Sequence, residues 1–94
     1  MTITSLSSSD GHELTILIQG RFDFAAHQDF RNAYERIESP PQRYVIDLKN
    51  TTYLDSSALG MLLLLRDHAG GDHAQISLLN CNPDVRKILA ISNF

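Results

Sequence analysis

Apolar and polar residues alternate along this chain in two distinct rhythms, and the switches between them predict seven elements. Thr2 to Ser7 alternates weakly and is rich in Thr, Ile and Ser, which predicts an edge strand. Ser8-Ser9-Asp10-Gly11 is a turn cluster, and Asp-Gly is a strong hairpin signal. Glu13 to Gln19 is β-branched and apolar, a second strand that should pair with the first. Gly20 is expected to end it, and Arg21-Phe22-Asp23-Phe24 to form a connection with a carboxylate in its middle. From about Ala25 the rhythm lengthens. Ala26, Phe30, Ala33, Tyr34 and Ile37 recur at spacings of three and four, one stripe of a helix that Ser39-Pro40-Pro41 stops.

Arg43 to Leu48 is the clearest strand, and Val45, Ile46 and Leu48 suggest a central, well-buried position. Lys49 to Asp55 reads as a polar loop interrupted by Tyr53 and Leu54. Ser56 to Ala69 predicts a helix, terminated at Gly70-Gly71, where glycine tolerates the left-handed conformation. Ala74 to Leu79 predicts a fourth strand. Asn82 then fits a helix cap, and Pro83 the first helical position. Val85, Ile88 and Leu89 form the apolar side of that last short helix. An opening hairpin followed by alternating helices and strands predicts an α/β fold, a mixed sheet with helices packed on it. No linker or repeat divides the 94 residues, so residues 1–94 read as one domain.

The helix from Ser56 is unusual in being apolar nearly all round. With Ser56 at zero and about 100° per residue, Ala58, Leu62, Leu65 and Ala69 form a core stripe between about 180° and 240°. Asp67 and His68 mark the solvent side, yet Ser57, Gly60 and Leu64 lie between them, with Met61 just beyond and Leu63 on the other flank. A second structural element could cover that face, and single exposed leucines are ordinary. The functional alternative is a docking patch, in which Gly60 lets a partner approach closely because it has no side chain.

Composition narrows the chemistry. A net charge of -3 argues against a nucleic-acid partner, which would attract a basic surface. The single cysteine, Cys81, cannot form an internal disulfide, which favours a reducing compartment; it is expected to be a small buried residue. Met1-Thr2-Ile3-Thr4-Ser5 has no signal-peptide character, and the apolar run Ala58 to Leu65 is too short to span a bilayer. A cytoplasmic protein without membrane insertion is therefore expected. His12, His27, His68 and His73 make no metal pattern with Cys81, and there is no phosphate-cradling Gly-rich loop, so no metal or cofactor is expected. A serine hydrolase would need a Gly-x-Ser-x-Gly elbow or a placed histidine base, and neither is present.

What remains is Tyr53-Leu54-Asp55-Ser56-Ser57-Ala58-Leu59-Gly60, a strand-to-helix junction with two hydroxyls where free backbone N–H groups and the helix dipole favour negative charge. Either Ser56 or Ser57 fits a phosphorylation switch there, and Asp55 fits a helix cap. On the residues alone, Asp23 reads as a loop or capping residue.

Residues 43 to 65 resemble the STAS domain of bacterial anti-sigma-factor antagonists. The resemblance rests on strand Tyr44-Val45-Ile46-Asp47-Leu48 followed by Asp55-Ser56-Ser57-Ala58-Leu59-Gly60 opening a helix. It extends to Gly20-Arg21-Phe22-Asp23 and to Asn82-Pro83-Asp84-Val85-Arg86-Lys87-Ile88-Leu89, nearly the whole chain. Ala58 replaces the more usual glycine of the motif, a change that favours helix. Relatives usually continue through a further strand or helix, so the resemblance implies a C-terminus shortened relative to theirs.

The resemblance implies phosphorylation at Ser56, the first serine of the pair, with Asp23 near it in partner binding. Together with the docking patch on the helix this gives an expected partner surface of Asp23, Asp55, Ser57, Gly60, Met61 and Leu64. The resemblance implies a non-enzymatic protein that, when unphosphorylated, sequesters an anti-sigma factor or serine kinase of the histidine-kinase-like ATPase type. A PP2C-type phosphatase would restore binding. The alternative is a STAS interaction module in another signalling or transporter-associated complex.

Overall fold

The structure of the protein is a computed structural model that describes residues 2–35, 41–71 and 75–91. Four strands form one sheet in the order β1-β2-β3-β4: β1 is Thr2–Ser7, β2 Glu13–Phe22, β3 Arg43–Leu54 and β4 Ile76–Leu79. β1 and β2 form the expected antiparallel hairpin, closed at its turn by Asp10, whose carboxylate accepts from the Ser8 hydroxyl at 2.6 Å and the His12 amide at 2.9 Å. β2–β3 and β3–β4 are parallel. A short 3₁₀ turn at Phe24–Ala26 leads into α1 (His27–Glu35); α2 is Ser56–His68 and α3 Pro83–Ile91. The mixed α/β fold is thus the one that the hydrophobic rhythm implies. Ile37, Ser39, Pro40 and Ala74 lie outside the described residues.

Alternation along the central strands explains the core. Leu14, Ile16, Ile18 and Phe22 of β2 and Tyr44, Ile46, Leu48 and Leu54 of β3 point to one side and are buried. Phe30 and Tyr34 of α1, four of α2's residues and Val85 of α3 pack into the same cluster. Phe22, Phe30 and Tyr34 continue into one another through tilted and edge-on ring contacts at 5.1 and 5.6 Å. Asn82 caps α3 as expected, its Oδ1 accepting from the Val85 amide at 2.8 Å.

Two expectations are corrected. Gly20 does not end β2; it takes φ 89° inside the strand, at a register shift, and the strand runs on to Phe22. Likewise Lys49 to Leu54 is not a loop but the second half of β3. β3 advances seven residues, from Asp47 to Leu54, while β2 advances five, from Leu17 to Phe22. The two extra residues are absorbed as bulge-like shifts, which break the clean alternation that marks a strand in sequence. Thr51 fastens the irregular stretch: its buried hydroxyl donates to the Ile18 carbonyl at 2.9 Å, and its own carbonyl accepts from Asn82 Nδ2 at 3.2 Å.

Candidate functional site

The shifts in β3 bring the ends of β2 and β3 level, and this builds the site. Phe22 pairs with Leu54, so Asp23 and Asp55 are the next residue on each of two adjacent chains. Both are extended and both cap a helical segment. Asp55 Oδ1 accepts from the Ala58 amide at 3.0 Å, and its carbonyl accepts from the Leu59 amide at 3.2 Å. Asp23 Oδ1 accepts from the Ala25 amide at 3.1 Å, and its carbonyl accepts from the Ala26 amide at 2.9 Å. A short polar side chain that can reach a backbone N–H two or three residues on starts a helix, and here two such starts lie side by side.

Ser56 is the first residue of α2 and is exposed; Ser57, the second, is half-buried. An α-helix leaves its first N–H groups without intrahelical acceptors, and Asp55 satisfies the third. The Ser56 and Ser57 hydroxyls therefore stand at the positive end of the helix dipole, with the Asp55 carboxylate already engaged.

Down the helix from Ser56, the core arc consists of Ala58, Met61, Leu62 and Leu65. Met61 is only 3% exposed. Its expected place on the partner surface is corrected: the core arc reaches round to about 140° on the helical wheel, and a flexible thioether fills it. On the outer arc lie Ser56, Gly60, Leu63, Leu64 and Asp67, with Leu63 and Leu64 48% and 52% exposed. A Cβ added at Gly60 would meet nothing within 4 Å. The outer face is thus open around the glycine and apolar beside it.

Three side chains at this rim carried no periodic signal. Arg21 pairs with Tyr53 across β2 and β3, and its guanidinium carbon lies 4.3 Å from the centre of the Tyr53 ring. Its Nε also donates to Asp23 Oδ2 at 3.3 Å. Phe24, which follows Asp23, is 74% exposed and stacks on His27 at 6.1 Å between ring centres. The Arg21–Tyr53 contact depends on the two extra residues of β3; without them the sequence offers no reason to set residue 21 opposite residue 53.

Cys81 is half-buried instead of fully buried, and desolvation pushes its thiol pKa up, so it is not an activated thiolate. Among the described residues, no group of three or more His, Cys, Asp or Glu side chains is arranged to hold a metal ion. No described helix is long and apolar enough to cross a membrane.

Comparison with known proteins agrees with this architecture. Residues 5–94 match the family model described as Mlab, STAS domain. A STAS-domain containing protein of Pseudomonas aeruginosa (strain UCBPP-PA14) is 78% identical over 94 residues, spanning all of this chain and 93% of that protein. The crystal structure of an antisigma-factor antagonist STAS domain from Rhodobacter sphaeroides superposes with a TM-score of 0.66 and 25% identity, covering 84% of this chain and 85% of that one. The anti-sigma factor antagonist SpoIIAA in its unphosphorylated form superposes with a TM-score of 0.77 and 17% identity, covering 96% of this chain and 83% of that one.

Proposed function

The chain belongs to the STAS domain family, and from that premise we propose that it is an anti-sigma-factor antagonist switched by phosphorylation of Ser56. Unphosphorylated, it binds an anti-sigma factor or a serine kinase of the histidine-kinase-like ATPase type, and it does so in the cytoplasm. A PP2C-type phosphatase resets it. It is a binding protein and not an enzyme. The observation that carries this reading is the exposed Ser56 at the mouth of an exposed, partly apolar helix face containing Gly60 and Leu64.

The physics of such a switch lies in the interface. Phosphorylation adds about −1.5 to −2 charge at pH 7. At the first residue of α2 the helix dipole offsets this by about 0.3–1 kcal/mol, so the fold survives. A partner that covers an uncharged hydroxyl would instead enclose a charge. Even a penalty of about 1.4 kcal/mol weakens binding tenfold, and an unpaired buried charge costs several times that. Asp23 and Asp55 contribute to the surface through exposed portions of their capping carboxylates, and Ser57 borders it.

The test is affinity for the anti-sigma factor measured with the Ser56, Ser56→Asp and phosphorylated forms. Binding that falls tenfold or more on phosphorylation supports the switch. Equal affinity in all three forms removes it and leaves a STAS module with a different output.

A further inference from the structure

The charged cluster at the end of β2 is more than a cap, and its arginine leans in an informative direction. Arg21 stands on β2, but its guanidinium lies over the ring of Tyr53 on β3, so the side chain crosses toward the strand that carries Ser56 three residues later. Its Nε meets Asp23, so the same side chain also reaches forward past the end of β2. Asp23 follows Phe22, which pairs with Leu54, so the carboxylate that Arg21 meets belongs to the residue beside Asp55, and Asp55 directly precedes Ser56. The contact to Asp23 is a single N···O approach at 3.3 Å, and the Arg21 side chain is 65% exposed. A lone, solvent-screened contact of that kind is weak and easily exchanged. Arg43 opens β3 at the far end of that strand and Arg66 lies in the last turn of α2, so neither shares this rim.

We infer that Arg21 is the internal phosphate partner of the switch: it leaves Asp23 and pairs with the phosphate on Ser56. This rests on the Ser56 reading above. A guanidinium presents parallel N–H donors that match phosphate oxygens, and a dianion attracts it more strongly than one carboxylate does. The Tyr53 ring serves as a platform on which the guanidinium turns while remaining stacked. The exchange has two effects at the surface. It fixes the phosphate in one position, and it releases the Asp23 carboxylate oxygen that Arg21 had held. The phosphorylated rim therefore differs from the unphosphorylated one in the place of the Arg21 charge and in the freed Asp23 oxygen, as well as in the phosphate itself.

Phosphoserine inserted at position 56 during translation permits a test that needs neither kinase nor partner. The phosphate is titrated by phosphorus NMR in the otherwise native protein, in Arg21→Gln and in Arg21→Lys. Among the described residues, the charged or titratable groups along the ends of β2 and β3 are Arg21, which favours the dianion, Asp23 and Asp55, which oppose it, and the imidazole of His27, which stacks on Phe24. The expected result is a phosphate midpoint about half a pH unit or more higher in Arg21→Gln, a roughly threefold or greater rise in proton affinity, with Arg21→Lys in between. The difference should shrink in about 1 M salt. In the native sequence, the Arg21 Nε–H resonance should also move on going from serine to phosphoserine. Equal midpoints for native and Arg21→Gln proteins, or an unmoved Arg21 resonance, would overturn the assignment. Either result is independent of whether cells phosphorylate Ser56. The pairing can therefore fail while the switch stands, and the switch can fail while the pairing stands.

Discussion

Replacing Gly60 with alanine separates stability from docking, because the structure predicts opposite signs for the two. Gly60 lies inside α2, where glycine costs roughly 0.8–1.0 kcal/mol relative to alanine through its extra backbone freedom. A Cβ added there meets nothing within 4 Å, so no steric term opposes the gain. Gly60→Ala should therefore stabilise the isolated domain by about 0.5–1 kcal/mol, which for a domain of this size raises the melting temperature by about 2–8 °C. Partner binding should respond the other way. If the anti-sigma factor packs closely over the glycine, a methyl group forces the interface apart. The cost of overpacking a close contact is typically about 1–3 kcal/mol, or about fivefold to more than a hundredfold in affinity. Thermal or urea unfolding gives the first quantity and titration calorimetry with the partner the second. A lower melting temperature would refute the open geometry around Gly60. A raised melting temperature with unchanged affinity would remove Gly60 from the docking surface.

Met61→Ala, which empties a core position, should destabilise by about 2–5 kcal/mol, whereas Leu64→Ala should change stability by less than about 1 kcal/mol and weaken partner binding; urea unfolding with parallel affinity measurements distinguishes them. Thr51→Val removes the donor to the buried Ile18 carbonyl and should cost about 1–3 kcal/mol by the same unfolding assay, with partner affinity retained by the folded fraction. Burial raises the phenol pKa of Tyr44, and burial followed by the charge of Glu35 raises that of Tyr34. A raised acid pKa means the folded state holds its proton longer, so this contribution is intact below the unfolded value of about 10 and is lost as pH rises through the folded value. Stability measured from pH 8 to 11 should fall above about pH 10, and the fall should be shallower in Tyr44→Phe.

The parts of the fold legible in sequence were those whose period stays regular. Glu13 to Gln19 is rich in β-branched and apolar residues and follows Asp10-Gly11, which marks the hairpin; Phe30 and Tyr34 keep helical spacing, which marks the first helix; and the succession of strand, helix and strand implies the parallel order. The caps at Asp55 and Asn82 were equally local, since each depends on one side chain and an amide three residues on. The second half of β3 was hidden because two extra residues break the period: buried Thr51 and Leu54 stand out of phase with exposed Lys49, Asn50, Thr52 and Tyr53. Met61 was misplaced for a related reason. An almost wholly apolar helix has no sharp hydrophobic boundary, so only packing decides where the core arc stops. Of the rim, Ser56, Gly60 and Leu64 were legible from one helix, whereas Arg21 against Tyr53 is a long-range pair fixed by register.

The central claim is that Ser56 carries the switch. Phosphosite mapping by mass spectrometry, on protein isolated from its own cells across growth and stress conditions with Ser56→Ala as control, tests it most directly. The account predicts a phosphate on Ser56 that disappears in the variant. Phosphate on Ser57 alone, or on neither residue under any condition, would contradict it.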